Sequence, residues 1–123
     1  GAAGTGMTGR PESINAVTLG VTDMAASCRF YEALGFERAY GGPDAEFTSY
    51  AVGPTFLNLQ LVDHVQTGWG RFIVHVDDVD AVHERALAAG LSPTMAPSDA
   101  PWGERYFHID DPDGHEVSLA RPL

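Results

Sequence analysis

The chain has 123 residues, 44% of them hydrophobic, and a formal charge of −10 from seven basic and seventeen acidic side chains. This is enough for one domain with a real core and too little for two, and the shortage of Lys and Arg argues against a nucleic-acid partner, because phosphate neutralisation depends on them. The single Cys28 excludes an intramolecular disulfide, and no stretch has the length and apolarity of a membrane helix, so the expectation is a cytoplasmic protein with no membrane partner.

Residues 1–13 read as a flexible leader, since Gly1–Gly9 has no periodicity and only Met7 as a large apolar side chain. From Ile14 onward Val17, Leu19 and Val21 alternate with Ala16, Thr18 and Gly20, which predicts a strand. Asp23 offers an N-cap to a helix over Met24–Leu34, with Phe30, Tyr31 and Leu34 at helical spacing and Gly35 at its end. Strands follow at Phe36–Tyr40, Glu46–Val52 and Thr55–Val62, separated by turns at Gly41-Gly42-Pro43-Asp44 and Gly53-Pro54. The second half opens with a strand at Arg71–Val76, then Asp78 as N-cap and a helix Val79–Ala89 ending at Gly90. A short strand is expected at Leu91–Met95, a Pro-rich loop at Ala96–Gly103 and a hairpin at Tyr106–Leu119 around the turn Asp111-Pro112-Asp113-Gly114.

The order is βαβββ twice. In both halves capping Asp and terminal Gly lie twelve residues apart, Asp23 to Gly35 and Asp78 to Gly90, which marks an internal repeat of about 55 residues. The expected fold is α+β in a single domain over 14–123, with module one at 14–66 and module two at 69–121. Each module covers one face of its sheet with its own helix and leaves the other open.

Four motifs, in this order and spacing, carry a resemblance over Ile14–Arg121: Val-Thr-Leu-Gly-Val-Thr-Asp, Arg-Phe-Tyr-Glu-Ala-Leu-Gly-Phe, Val-Asp-Asp-Val-Asp and Asp-Pro-Asp-Gly-His. The chain resembles the vicinal oxygen chelate superfamily, which comprises glyoxalases, bleomycin-resistance proteins and extradiol dioxygenases. The resemblance implies two βαβββ modules whose mixed sheet curls into a cup with the helices outside. It also implies a homodimer with the ligand in the cup or at the interface. Whether the cup forms within one chain or by exchange between two stays open, because both use the same repeat.

Enzymes of the family hold a divalent metal with His and Glu at four strand positions. Carried over, these fall on Ala16, on Asn58 (or Gln60 if the strand slips by two), on Arg71 and on Ser118. Ala offers no donor and a permanently protonated Arg repels a cation, so neither metal nor other cofactor is expected. A relocated site built from His75, His108 and Glu116 is the alternative, two His and one carboxylate being a known iron-site composition. Against it, His75 stands four residues beyond the Arg71 position, roughly 13 Å along an extended strand.

By strand parity the open face carries Thr18, Asn58, Gln60, Arg71, His75, Tyr106, His108, Glu116 and Ser118, with Trp69 and Trp102 from flanking loops. This polar and aromatic lining suits a small planar or extended ligand. Plainer roles compete: Trp69 as a hinge between modules, Trp102 as a loop plug, Arg71 paired with Glu116, and the Asp77-Asp78-Asp80 cluster as helix capping. His64, His83 and His115 are assigned no role. The leading expectation is a small-molecule binding protein of the bleomycin-resistance type that sequesters an aromatic or cationic natural product. A metal-independent lyase, isomerase or cyclase of secondary metabolism is the main alternative, and a metalloenzyme with relocated ligands the next.

Overall fold

A computed structural model describes residues 9–123. The first eight positions of the expected leader lie outside the described residues, and positions 9–15 carry no regular secondary structure. Module one then runs β1 (Ala16–Val21), α1 (Met24–Ala33), β2 (Glu37–Tyr40), β3 (Phe47–Val52) and β4 (Thr55–Leu61). Module two runs β5 (Arg71–His75), α2 (Val79–Ala88), β6 (Ser98–Ala100), β7 (Glu104–Asp110) and β8 (Glu116–Pro122).

The repeat is real at the level of topology. The sheets have orders β1-β4-β3-β2 and β5-β8-β7-β6, and in each the first strand pairs parallel with the last while the others are antiparallel. These are two four-stranded mixed sheets, curled and not closed into a barrel, in an α+β fold. The helices start alike, with Asp23 accepting from the Ala26 N–H and Asp78 from the Ala81 N–H, both at 3.0 Å. They stop alike too, because Gly35 and Gly90 take the positive φ that ends a helix without strain.

One core runs through both modules. Leu19, Val21, Leu57 and Leu59 from one sheet and Phe107, Ile109, Val117 and Leu119 from the other are buried against the helices. Each such side chain contributes about 1.5–3 kcal/mol relative to exposure. Arg85 of α2 reaches across to donate to the Ala33 and Leu34 carbonyls at 3.3 and 3.1 Å, placing a cation at the C-terminus of α1. A Cβ at Gly35 would lie 2.5 Å from the Arg85 guanidinium, so the glycine also makes room for this contact.

One expected element is corrected. Leu91–Met95 forms no strand, and the second strand of module two is Ser98–Ala100, inside the stretch expected to be a loop. Pro93 has no N–H to offer a ladder, and the segment meets β7 through Thr94, whose N–H and hydroxyl both donate to the His108 carbonyl. The hairpin is also longer than expected, beginning at Glu104 and ending at Pro122.

Candidate functional site

The open face of module two is organised by the register β5-β8-β7. Arg71 lies opposite Glu116, and its Nε donates to Glu116 Oε1 at 2.5 Å. That hydrogen bond holds the Glu116 carboxyl below its ordinary pKa. The other carboxylate oxygen faces His108 Nδ1 at 3.6 Å. From His108 a ladder of rings continues, with centroids 5.1 Å to Tyr106 and 5.7 Å from Tyr106 to Trp102. Trp102 Nε1 donates to Glu104 Oε1 at 3.1 Å, and Glu104 Oε2 stands 3.6 Å from His75 Nε2. Ser118 lies in register between Ile73 and His108 and is buried.

Module one presents an uncharged row. Asn58 Oδ1 accepts from the Ser49 hydroxyl at 2.7 Å, and Asn58 Nδ2 donates to Thr18 Oγ1 at 3.2 Å. The amide is thereby held in one orientation, with Thr18 keeping its O–H to offer and Ser49 its lone pairs. Gln60 is exposed two residues further along the strand, in register with Gly20 and Phe47.

Between the modules a cavity of about 360 Å³ is lined by Val17, Phe56, Phe72, Ile73 and His75. A second, of about 300 Å³, is bounded by Thr18, Gly20, Gln66, Trp69 and His115. Trp69 belongs to this junction and not to the ring ladder. Its Nε1 donates to His115 Nδ1 at 2.9 Å, and His115 Nε2 meets the Gly20 carbonyl at 2.8 Å. Since an indole N–H can only donate, His115 Nδ1 must accept and Nε2 must carry the proton given to Gly20.

A family profile described as Glyoxalase/Bleomycin resistance protein/Dioxygenase superfamily matches residues 13–119. The chain belongs to this superfamily. Solved structures agree: a glyoxalase-related enzyme from Fulvimarina pelagi is 27% identical with a TM-score of 0.74, covering 89% of this chain and 88% of that one. TioX from Micromonospora sp. ML1 is 25% identical with a TM-score of 0.73, covering 91% of this chain and 100% of that one. A lactoylglutathione lyase from Agrobacterium tumefaciens, 24% identical with a TM-score of 0.71 over 89% of this chain and 93% of that one, shares the fold. An uncharacterised Mycobacterium bovis protein is 48% identical over 48 residues, which is 39% of this chain and 32% of that relative. The match thus spans about a third of that protein.

The superfamily's divalent metal does not fit the side chains at the positions that would hold it. Ala16 has no donor atom, Arg71 brings a fixed positive charge already bound to Glu116, and the Asn58 amide oxygen is taken by Ser49. The relocated set fares no better, because His75 turns to Glu104 while His108 turns to Glu116. Among the described residues, no three His, Cys, Asp or Glu side chains converge as metal ligands.

The structure therefore joins Arg71, Glu116, His108, Tyr106, Trp102 and His75 in one strip, with Asn58 and Gln60 on the facing module and Trp69 at the junction. Two residues of the assembly escaped the sequence reading. Glu104 shares the parity of Tyr106 and His108 and became visible only once the hairpin proved to start two residues earlier. His115 looked like a turn residue, yet it is buried and links the modules. Its signal was its place directly after Asp-Pro-Asp-Gly.

Proposed function

We propose that the chain is a small-molecule binding protein of the bleomycin-resistance kind, which sequesters an aromatic or cationic compound in the cup without a divalent metal. The reading rests on the strip itself: the carried-over metal positions hold Ala16, a hydrogen-bonded Asn58, an ion-paired Arg71 and a buried Ser118, while a ladder of three rings, Trp102 exposed and Tyr106 and His108 partly buried, runs beside them. Rings supply area and the flanking polar groups supply orientation, as small-ligand sites require. A homodimer accompanies this proposal. Phe56 and Ile73 stay exposed on the open faces of a single chain, where a second copy would enclose them.

Fluorescence titration with planar aromatic compounds, charged and neutral, tests the reading, with each ligand recovered afterwards for chemical analysis. Saturable quenching with ligand returned intact is the expected result. An unchanged emission spectrum across the panel at millimolar ligand would overturn it.

A second reading draws on the His108–Glu116 approach at 3.6 Å beside Arg71. In a metal-independent lyase, isomerase or cyclase His108 would move a proton while Arg71 stabilises a developing oxyanion. Conversion of a bound ligand by the wild type, lost in His108→Ala with binding retained, would establish this reading in place of sequestration.

A further inference from the structure

The carboxylates along the ring ladder differ in one respect. Glu116 has a permanent counter-ion in Arg71, whereas Glu104 is met by the Trp102 indole N–H and, at 3.6 Å, by the His75 imidazole. Its register neighbours are Pro122 and Ala100, which carry no charge. Nor can the rest of module two supply a cation. The chain contains no lysine, and the module's four arginines are engaged elsewhere: Arg71 with Glu116, Arg85 with the end of α1, Arg105 with Asp80 and Asp99, Arg121 with the Asp77 carbonyl.

Beside this carboxylate stands an exposed Trp. Trp102 is 68% exposed, yet its ring is oriented by the bond to Glu104 and by the Tyr106 ring at 34° to it. An anion without a fixed counter-ion next to two ring faces is the arrangement that attracts an organic ammonium group, through charge and through the ring quadrupole together. The net charge of −10 adds a long-range field that draws cations to the molecule.

We propose that Trp102, Glu104 and Tyr106 form a subsite for an organic ammonium group, with Glu104 as the counter-ion and the two rings as its walls. The inference rests on the binding-protein reading and sharpens it. The ligand presents a protonated or quaternary amine at the β6–β7 end of the strip, and its planar part runs along Tyr106 and His108 towards Arg71.

Two probes of equal ring size separate charge from area: phenethylammonium and phenethyl alcohol. Each is titrated into the full chain while the Trp102 indole N–H resonance is followed by ¹H–¹⁵N NMR, assigned with Trp102→Phe. The ammonium is expected to bind at least about ten-fold more tightly than the alcohol. Glu104→Gln, a partly exposed isosteric change, should bring the two affinities within about two-fold of each other. Equal affinities in the wild type, or discrimination that survives in Glu104→Gln, would overturn the subsite. If the alcohol binds as well as the ammonium, the ring ladder is a ligand surface and only the ammonium assignment fails. If neither probe moves any resonance of the strip, the subsite and the binding-protein reading fail together.

Discussion

The Tyr31 hydroxyl donates to Asp111 Oδ2 at 2.8 Å, joining the first helix of module one to the hairpin turn of module two across 80 residues of sequence. The other Asp111 oxygen accepts from the Asp113 and His115 N–H groups and so shapes the turn itself. Asp113 then accepts from the Thr22 N–H and hydroxyl at the entrance to α1. The Asp-Pro-Asp-Gly-His stretch is thus a clasp between modules as well as a turn, and it fixes how the two open faces are set relative to each other.

Tyr31→Phe removes one partner of the buried Asp111 and should cost about 1.5–3 kcal/mol, the range for a hydrogen bond to a charged group. Burial pushes the Asp111 carboxyl above its ordinary pKa, and the Tyr31 bond opposes that shift. In the wild type a raised pKa means that the folded state holds its proton longer, so this group's contribution falls as pH rises from the ordinary carboxylate value through the raised one. Losing Tyr31 raises the carboxyl further and widens that window. Urea denaturation at pH 4 and pH 7 checks the sign: the cost of Tyr31→Phe must be larger at pH 7.

His115→Ala leaves the Trp69 N–H and the Gly20 carbonyl without their shared partner at the module junction. A lost buried hydrogen-bond partner costs about 1–3 kcal/mol for each orphaned group, reduced where water enters. Trp69 is half-exposed, so its share is small and most of the loss lies at Gly20. The urea midpoint should fall while Trp69 emission shifts to the red. An unchanged midpoint would mean that His115 does not hold the modules together.

Most of the fold was legible because the physics that made each element was local. Asp23 and Asp78 announce helix starts by chemistry, Gly35 and Gly90 announce the ends by backbone freedom, and period-two alternation placed Leu57, Leu59, Phe107 and Val117 on the buried face. The β6 strand was not legible. Ser98–Ala100 has three residues and no apolar alternation, and its existence depends on the neighbouring β7 edge. The more apolar Leu91–Met95 looked like the better strand, but Pro93 interrupts its donors. In the site, parity told which face Arg71, His108 and Glu116 share. It could not tell that Glu104 belongs with them, or that Trp69 would turn to His115, because partner choice is set by tertiary approach and not by period.

Ser27 offers a test of packing free of any functional role. Its Oγ is fully buried on α1 and has no hydrogen-bond partner among the described residues. A hydroxyl removed from water without compensation costs about 1–3 kcal/mol. Ser27→Ala deletes that oxygen from a helix interior, where Ala is also the better helix former. The melting temperature should rise by a few degrees. A fall would show that the hydroxyl contacts an ordered water or makes packing interactions that outweigh its desolvation.

Arg71→Ala separates the structural from the electrostatic role of the ion pair. Both side chains are substantially exposed, at 50% and 33%, so the pair contributes at most about 1 kcal/mol and the variant should melt close to the wild type. The Glu116 carboxyl should respond far more. Its ordinary value is near 4.5, and the Arg71 hydrogen bond lowers it. A depressed pKa gives stability that is present above the ordinary value and lost as pH falls through the depressed one. Without Arg71 the ¹³C titration midpoint of Glu116 must move up, and that pH-dependent increment must shrink. The variant also frees a second carboxylate beside the ring ladder. If the strip binds ammonium ligands through uncompensated carboxylates, Arg71→Ala binds phenethylammonium more tightly than the wild type does, and Arg71→Ala with Glu116→Gln returns to the wild-type affinity. A loss of affinity in the single variant would instead make Arg71 a direct ligand contact, which the oxyanion role in the second reading requires.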